Sequence, residues 1–275
     1  MRKMLLVPVG GLANRMRAVA SAYTLMQQLG GELRVVWFRD WALNAPFGDL
    51  FEPVGERGVS VREASLKDLL IYDRPRKHNF YIPVLFQKIL FHSCMYERKV
   101  GPLCYQESFW RKWASQGKVY MASYDQFMAY DNRLVQSMFR PVDLVRREVE
   151  RRCSLFSDYT IGLHIRRTDN VVSIRQSPLE LFYSRLDEEL DAHAGLCIYL
   201  ATDSEKVKSD LRGRYGKRLL VADAVADRGS VRGIQDAVVD MFTLSRTSKI
   251  YGSSGSSFSE LAAQLGDVTL EIVRR

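Results

Sequence analysis

KMLLVPVGGLANRMRAVASAYTLMQQLGGELRVVWF, residues 3–38, is the stretch on which the architecture turns. Lys3 to Val9 is a continuous apolar run, the pattern of a strand buried on both faces. Gly10-Gly11 breaks it. From Ala13 to Leu29, apolar residues recur at helical spacing through Met16, Val19, Ala20, Tyr23, Leu25 and Met26, and Gly30-Gly31 supplies the glycine on which helices commonly end. Leu33 to Phe38 is a second apolar run. Strand, glycine turn, helix, strand is a βαβ unit, and its crossover makes the two strands parallel. Arg2 and Lys3 ahead of apolar residues resemble the start of a secretory leader. The apolar stretch is too short for one, however, and it runs into Asn14 and Arg15 with no small-residue cleavage site, so a buried first strand is expected instead.

The alternation returns after residue 159. Tyr159 to Ile165, Leu196 to Ala201, Arg218 to Ala222, Ser248 to Tyr251 and Val268 to Ile272 read as strands. Ser204 to Tyr215, Ile234 to Arg246 and Ser256 to Leu265 read as helices between them. Ser177-Pro178-Leu179-Glu180 announces one more helix, running to about His193, with a serine N-cap, proline in the first turn and a glutamate completing a capping box. The result is a doubly wound α/β domain, in which ligands sit outside the carboxyl ends of the strands. Between about 45 and 155 the pattern loosens. Pro83 to His92 reads there as an amphipathic helix, and Pro141 to Cys153 as a charged helix linking two halves. Two domains are therefore expected, 1–150 and 151–275.

Composition sets outer limits. The 275 residues are 47% hydrophobic and 26% charged, ordinary globular material able to bury a core. No apolar run reaches the ~18–20 residues of a membrane span. Cys94, Cys104, Cys153 and Cys197 form no CxxC and have few histidine neighbours, which predicts free thiols and no metal site. The net charge is +8, and between Tyr72 and Lys118 nine Lys or Arg face three acidic residues among many aromatics. Such a stretch suits nucleic acid, anionic lipid or a phosphorylated glycan, or is a solvated basic face over an aromatic core.

Polar clusters fall where strands end. Ile161-Gly162-Leu163-His164-Ile165-Arg166-Arg167-Thr168-Asp169 puts two arginines, whose fixed charged donors suit a diphosphate, straight after a strand. Adjacent residues of an extended segment point to opposite sides, so one arginine is free to face a ligand while the other pairs with a local acid such as Asp169. In Tyr199-Leu200-Ala201-Thr202-Asp203-Ser204 the last two residues either contact a ligand or cap the next helix. Asp240, amid the apolar helix residues Val238, Val239 and Met241, needs a donor partner: the paired N–H groups of a purine such as guanine, or an internal Arg or Ser. Gly252-Ser253-Ser254-Gly255-Ser256-Ser257-Phe258 leads from a strand into a helix whose first amides can hold a phosphate. Gly10, Gly11, Asn14 and Arg15 form a fifth cluster, which lacks the glycine spacing of a dinucleotide fingerprint.

In this order, GGLANRMRA (10–18), HIRRTD (164–169), YLATDSE (199–205) and SVRGIQDAVVDMFTLSRTSKIYGSSGSSFSELA (230–262) resemble the fucosyltransferase superfamily of α1,6-, α1,2- and protein O-fucosyltransferases, most of all the α1,6 branch of Nod-factor and N-glycan core enzymes. The likeness covers 159–265 and the first 50 residues well, and 55–150 poorly. It implies a GT-B-like α/β fold, two Rossmann-type domains facing a cleft, with an N-terminal acceptor side and a C-terminal GDP-sugar side. It also implies an inverting, metal-independent and cofactor-free transfer of L-fucose from GDP-β-L-fucose to a glycan hydroxyl, giving an α-linkage. By position, Arg166 would neutralise the diphosphate, and His164 and Asp240 would recognise guanine. Ser256, Ser257 and Phe258 would line the donor pocket with Asp203 nearby, and Gly10, Gly11, Asn14 and Arg15 would approach the fucose from across the cleft.

One departure matters. The core α1,6 enzymes carry a lysine directly after the HxRRTD aspartate and a glutamate four residues further on, where this chain has Asn170 and Ile174. Another carboxylate must then act as base, with Asp40 first in line and Asp169 behind it, or the acceptor differs. The expected partners are GDP-fucose and a bacterial surface or signalling glycan or glycolipid, with no nucleic acid. The expected location is cytoplasmic, with residues 72–118 offering peripheral contact to the inner face of a membrane. The competing readings are a non-catalytic GDP-sugar or glycan binder, a transferase using another GDP-sugar, and an RNA- or anionic-membrane-binding protein.

Overall fold

β1 (Lys3–Pro8), α1 (Leu12–Gln28) and β2 (Glu32–Trp37) form the opening βαβ unit, with β1 and β2 parallel from Lys3↔Glu32 onward. The structure, a computed structural model, describes residues 2–168, 171–223 and 227–275. The chain divides into two compact units at Val142/Asp143, ahead of the expected 150/151 boundary.

The first unit continues with β3 (Val59–Glu63), α2 (Leu66–Ile71), α3 (Ile82–Leu90), β4 (Ser93–Tyr96), α4 (Glu97–Val100), α5 (Glu107–Ala114), β5 (Lys118–Ser123) and α6 (Asn132–Met138). Its five-stranded parallel sheet has the order β3-β2-β1-β5-β4. β5, in the stretch where the sequence pattern is loose, lies beside β1, and its Val119–Ser123 side is wholly buried. Leu5, Val7, Val36, Phe91 and Tyr120 pack one face of this sheet.

The second unit begins with α7 (Asp143–Cys153), the helix expected to link two halves. It packs instead on the Val231–Leu244 helix within this unit. There follow β6 (Thr160–Ile165), α8 (Val171–Gln176), α9 (Leu179–Ala192), β7 (Cys197–Thr202), α10 (Glu205–Tyr215), β8 (Leu219–Val221), α11 (Val231–Leu244), β9 (Lys249–Ser253), α12 (Ser257–Gly266) and β10 (Thr269–Val273). All pairings are parallel, in the order β10-β9-β6-β7-β8. The central β6 is buried at every residue, the polar Thr160 and His164 included, as a strand covered on both faces must be. Ile161, Leu163, Phe182, Leu186, Ile198 and Leu211 form its core.

The expected capping box at α9 is not made. Pro178 is the N-cap, and the Ser177 hydroxyl accepts the Ser254 amide at 2.8 Å, a tertiary bond that outcompetes the local cap. Gly252 brings helix and sheet into contact, because a Cβ there would lie 2.6 Å from Ser259 Oγ. The four cysteines are unpaired. Among the described residues no helix is long and apolar enough to cross a membrane.

Candidate functional site

In the second sheet the chain winds from β6 out through β7 to β8, then restarts on the other side with β9 and β10. The reversal between β6 and β9 is the switch point, where two loops diverge and leave a crevice at the strands' carboxyl ends. The residues after β6 meet those after β9 there.

Ser253 ties the two strand ends together. Its hydroxyl accepts the Arg166 amide at 3.1 Å and donates to the His164 carbonyl at 3.3 Å. The His164 ring stacks on Phe258 with centroids 4.8 Å apart and planes inclined by 28°. Its Nδ1 lies 3.5 Å from the hydroxyl of Ser256, the N-cap of α12, whose side chain makes no capping bond. The first-turn amides of α12 are thus left without a side-chain cap beside the β6 terminus, the arrangement that favours an anion. Ser256 is buried, and Ser257, Phe258 and Arg166 are half-buried.

Burial lowers the His164 pKa from 6.5 to about 4, and the Arg166 charge adds to the effect against the pull of Asp203. The ring is therefore neutral at pH 7 and offers one donor and one acceptor. Because the unfolded chain takes a proton near 6.5 and the folded one only near 4, stability falls as pH drops through that window. We expect His164 to remove about 2 kcal/mol between pH 7 and pH 5. Urea unfolding at the two pH values checks this, with His164→Gln abolishing that share of the loss; an equal pH slope in both proteins would refute a neutral buried ring.

The two arginines divide their roles, though not with the expected partner. Arg167 is the anchor: its Nη2 donates to the Ser177 carbonyl at 2.7 Å, and its amide donates to Asp203 at 2.7 Å. Asp169, the acid expected to pair with one of them, lies outside the described residues. Asp203, expected near the donor, is a brace. One oxygen takes the Arg167 amide, and the other takes the Thr168 hydroxyl at 2.6 Å and the Thr168 amide at 3.3 Å. With both oxygens committed it holds the loop that carries Arg166, while Ser204 caps α10 through the Val207 amide.

Asp240 has the internal partner. Its Oδ1 accepts Arg152 Nη1 at 2.6 Å and the Tyr199 hydroxyl at 2.7 Å, linking α11 to α7 and β7. Burial raises its pKa, against the pull of Arg152 and Tyr199. Since Oδ1 already holds two donors, a bidentate grip on guanine through both oxygens is not available in this arrangement. Oδ2 is the oxygen left to a ligand, on a side chain 25% exposed.

In the first unit Gly10 takes a left-handed φ of 81°, and Asn14 is half-buried in the first turn of α1 beside the end of β1. Gly11 is the N-cap of α1. Arg15 departs from expectation: it is fully buried and faces the interior. It donates to the Gly10 carbonyl at 2.8 Å, to the Phe38 carbonyl and to Asp40 Oδ1 at 2.9 Å, with its guanidinium 5.0 Å from the Trp37 ring centroid. Burial draws its pKa down to about 10 despite Asp40. Arg15 therefore clamps the ends of β1 and β2, and does not extend to a substrate. Asp40 fails as a base for the same reason. Its Oδ1 also takes the Ala42 amide at 3.0 Å, and Arg74 lies 3.6 Å from its Oδ2.

A carboxylate that sequence reasoning passed over stands better placed. Asp125 follows β5, at the carboxyl edge beside β1 where the first sheet reverses direction. It accepts the Ser123 hydroxyl at 3.1 Å, and burial raises its pKa, with Glu97 adding to the effect. Only the recognition of β5 as a strand would have singled it out. Among the described residues no group of three or more His, Cys, Asp or Glu is placed to hold a metal ion.

No protein-family model matches this chain, and no curated protein matches it in sequence. Solved structures do. NodZ alpha-1,6-fucosyltransferase soaked with GDP-fucose superposes with a TM-score of 0.69 at 19% identity, over 96% of this chain and 92% of that one. Fucosyltransferase NodZ from Bradyrhizobium gives 0.67 at 20% identity, over 95% and 91%. A point mutant of Arabidopsis thaliana FUT1 in complex with GDP gives 0.66 at 13% identity, over 100% and 71%. What this chain shares with them is the fold: two parallel Rossmann-like sheets of the kind found in GT-B fucosyltransferases such as NodZ.

Proposed function

We propose that the chain is a glycosyltransferase that moves L-fucose from GDP-β-L-fucose to a glycan hydroxyl, with inversion and without a metal. The observation that carries this reading is the meeting, at one switch point, of the His164–Phe258 stack, the uncapped start of α12 and the Arg166 loop. A purine stacks and hydrogen-bonds against a neutral aromatic pair, a diphosphate suits helix amides, and a permanent guanidinium balances its charge. The solved structures of similar fold that hold GDP-fucose or GDP support the same donor.

In this proposal the acceptor oxygen attacks C1 of fucose as the bond from C1 to the phosphate oxygen breaks. Arg166 and the α12 amides receive the charge that builds on the leaving GDP. The acceptor proton passes to a carboxylate. Asp40 is unsuited to that step, and the proposal gives it to Asp125, whose raised pKa fits a proton acceptor. Asp240 Oδ2 adds to the donor surroundings in the second unit. The second unit binds the GDP-sugar and the first faces the acceptor, a bacterial surface or signalling glycan handled in the cytoplasm.

Calorimetry with GDP, followed by product analysis with labelled GDP-fucose and a panel of glycans, tests the reading. Wild type is expected to bind GDP and form product. Asp125→Asn is expected to bind GDP equally and lose at least 100-fold in transfer, the range of a single general base. Absence of GDP binding refutes the donor site, and preference for another GDP-sugar refutes fucose. Binding without transfer makes the chain a binder, and unimpaired Asp125→Asn removes that residue as base.

A further inference from the structure

α3 is built inside out. Ile82, Leu85, Phe86, Ile89 and Leu90 recur at the spacing that ordinarily turns a helix's apolar stripe towards the core. Here that stripe faces outward, with Leu85 65% and Ile89 81% exposed. The inward residues are Pro83 and Gln87; Gln87 is fully buried, and its amide donates to the carbonyls of Ile71 at 3.2 Å and Asp73 at 2.9 Å and accepts the Tyr96 hydroxyl at 2.8 Å. A buried amide so fully bonded is costly to turn outward, which locks the helix in this orientation. The neighbouring α2 does the same: Leu66, Leu69 and Leu70 are exposed, while Asp68 is buried against Arg62 and Ser65. Just ahead of α3, Phe80 and Tyr81 hold left-handed φ values of 50° and 56°, strained for large side chains, and leave Phe80 81% exposed. Contiguous apolar patches of this extent are uncommon on free monomers and mark interaction sites.

The rim of the patch has one sign. Lys67, Lys77 and Lys88 are exposed and make no ion pair among the described residues. The acids of the segment, Asp68 and Asp73, are buried and bound to Arg62 and Arg76. A second copy of this chain would set lysine rims against each other, whereas an anionic surface complements them. Apolar side chains over a cationic rim are the pattern of helices that lie in a bilayer interface without crossing it.

We propose that the α2–α3 face is a docking surface for an anionic membrane, with Phe80, Leu85 and Ile89 inserted among the headgroups and the three lysines resting on them. This inference does not depend on the donor reading. Co-sedimentation of the full chain with phosphatidylcholine vesicles, with and without phosphatidylglycerol, tests it. Binding is expected to anionic vesicles and to weaken with salt. Leu85→Asp/Ile89→Asp should lose at least tenfold. Lys67→Gln/Lys77→Gln/Lys88→Gln should lose roughly 100-fold on anionic vesicles alone, each basic contact being worth about fivefold. An unchanged melting temperature in both variants would show that the fold is intact. No vesicle binding, or equal binding by the variants, overturns the proposal. So does a dimer that Ile89→Asp dissolves in sedimentation velocity while vesicles are ignored, because the face would then serve a second copy.

Discussion

Replacing Arg166 by alanine is expected to slow the proposed fucose transfer from GDP-fucose by roughly 100- to 1,000-fold, the cost of removing one preorganised donor from developing charge. The loss should appear in both kcat/KM and GDP affinity, because the diphosphate is charged before and after transfer. Lysine should recover only part: it keeps the charge but lacks the planar fork that meets two phosphate oxygens together. The bond joining this residue to Ser253 uses the main-chain amide, which alanine retains. Labelled-donor kinetics and calorimetry on the same preparations give the result. If alanine transfers fucose as well as arginine does, the diphosphate lies elsewhere.

Arg15→Met should act on stability instead. Removing the guanidinium leaves Asp40, whose side chain is 8% exposed, without its closest cation, and breaking one side of a buried pair typically costs about 3–5 kcal/mol. Arg74, 3.6 Å from the other oxygen, offers partial compensation and favours the lower end. Arg15→Met/Asp40→Leu should recover most of the loss, because no uncompensated charge remains. Urea denaturation of the single and double variants measures this. A protein destabilised by less than 1 kcal/mol but weakened in GDP binding would instead restore Arg15 to the donor site.

The difference between these two arginines shows where sequence reasoning reached and where it stopped. Both follow a strand and stand in a polar cluster. Arg166 lies on extended chain, where position alone puts it at the sheet edge. Arg15 lies on a helix, where one residue is a turn of about 100° and separates the half-buried Asn14 from a fully buried neighbour. The alternation of the second unit was legible because each apolar run is bounded by glycine or polar loops. β5 was not, because it follows α5, where the buried Trp110 and Trp113 stand among arginine and lysine and mask the change from helical to strand period. Asp240 needed a donor, and that much was readable. Its partners Arg152 and Tyr199 are 88 and 41 residues away, and only the folded chain brings them together. The inverted α3 is the opposite case: its periodicity was plain, and its direction was decided by the bonding of Gln87.

The Arg152–Asp240–Tyr199 bond set also determines where this polypeptide can be cut. A nick placed after residue 150 would leave Arg152 on a frayed, unpaired stub, separated from Glu148, whose carboxylate holds its Nε at 2.9 Å. Tyr199 and Asp240 would then face each other without their cation, deep against β7. A cut just ahead of Asp143 spares that strut entirely, so the second unit made to stand alone should begin there.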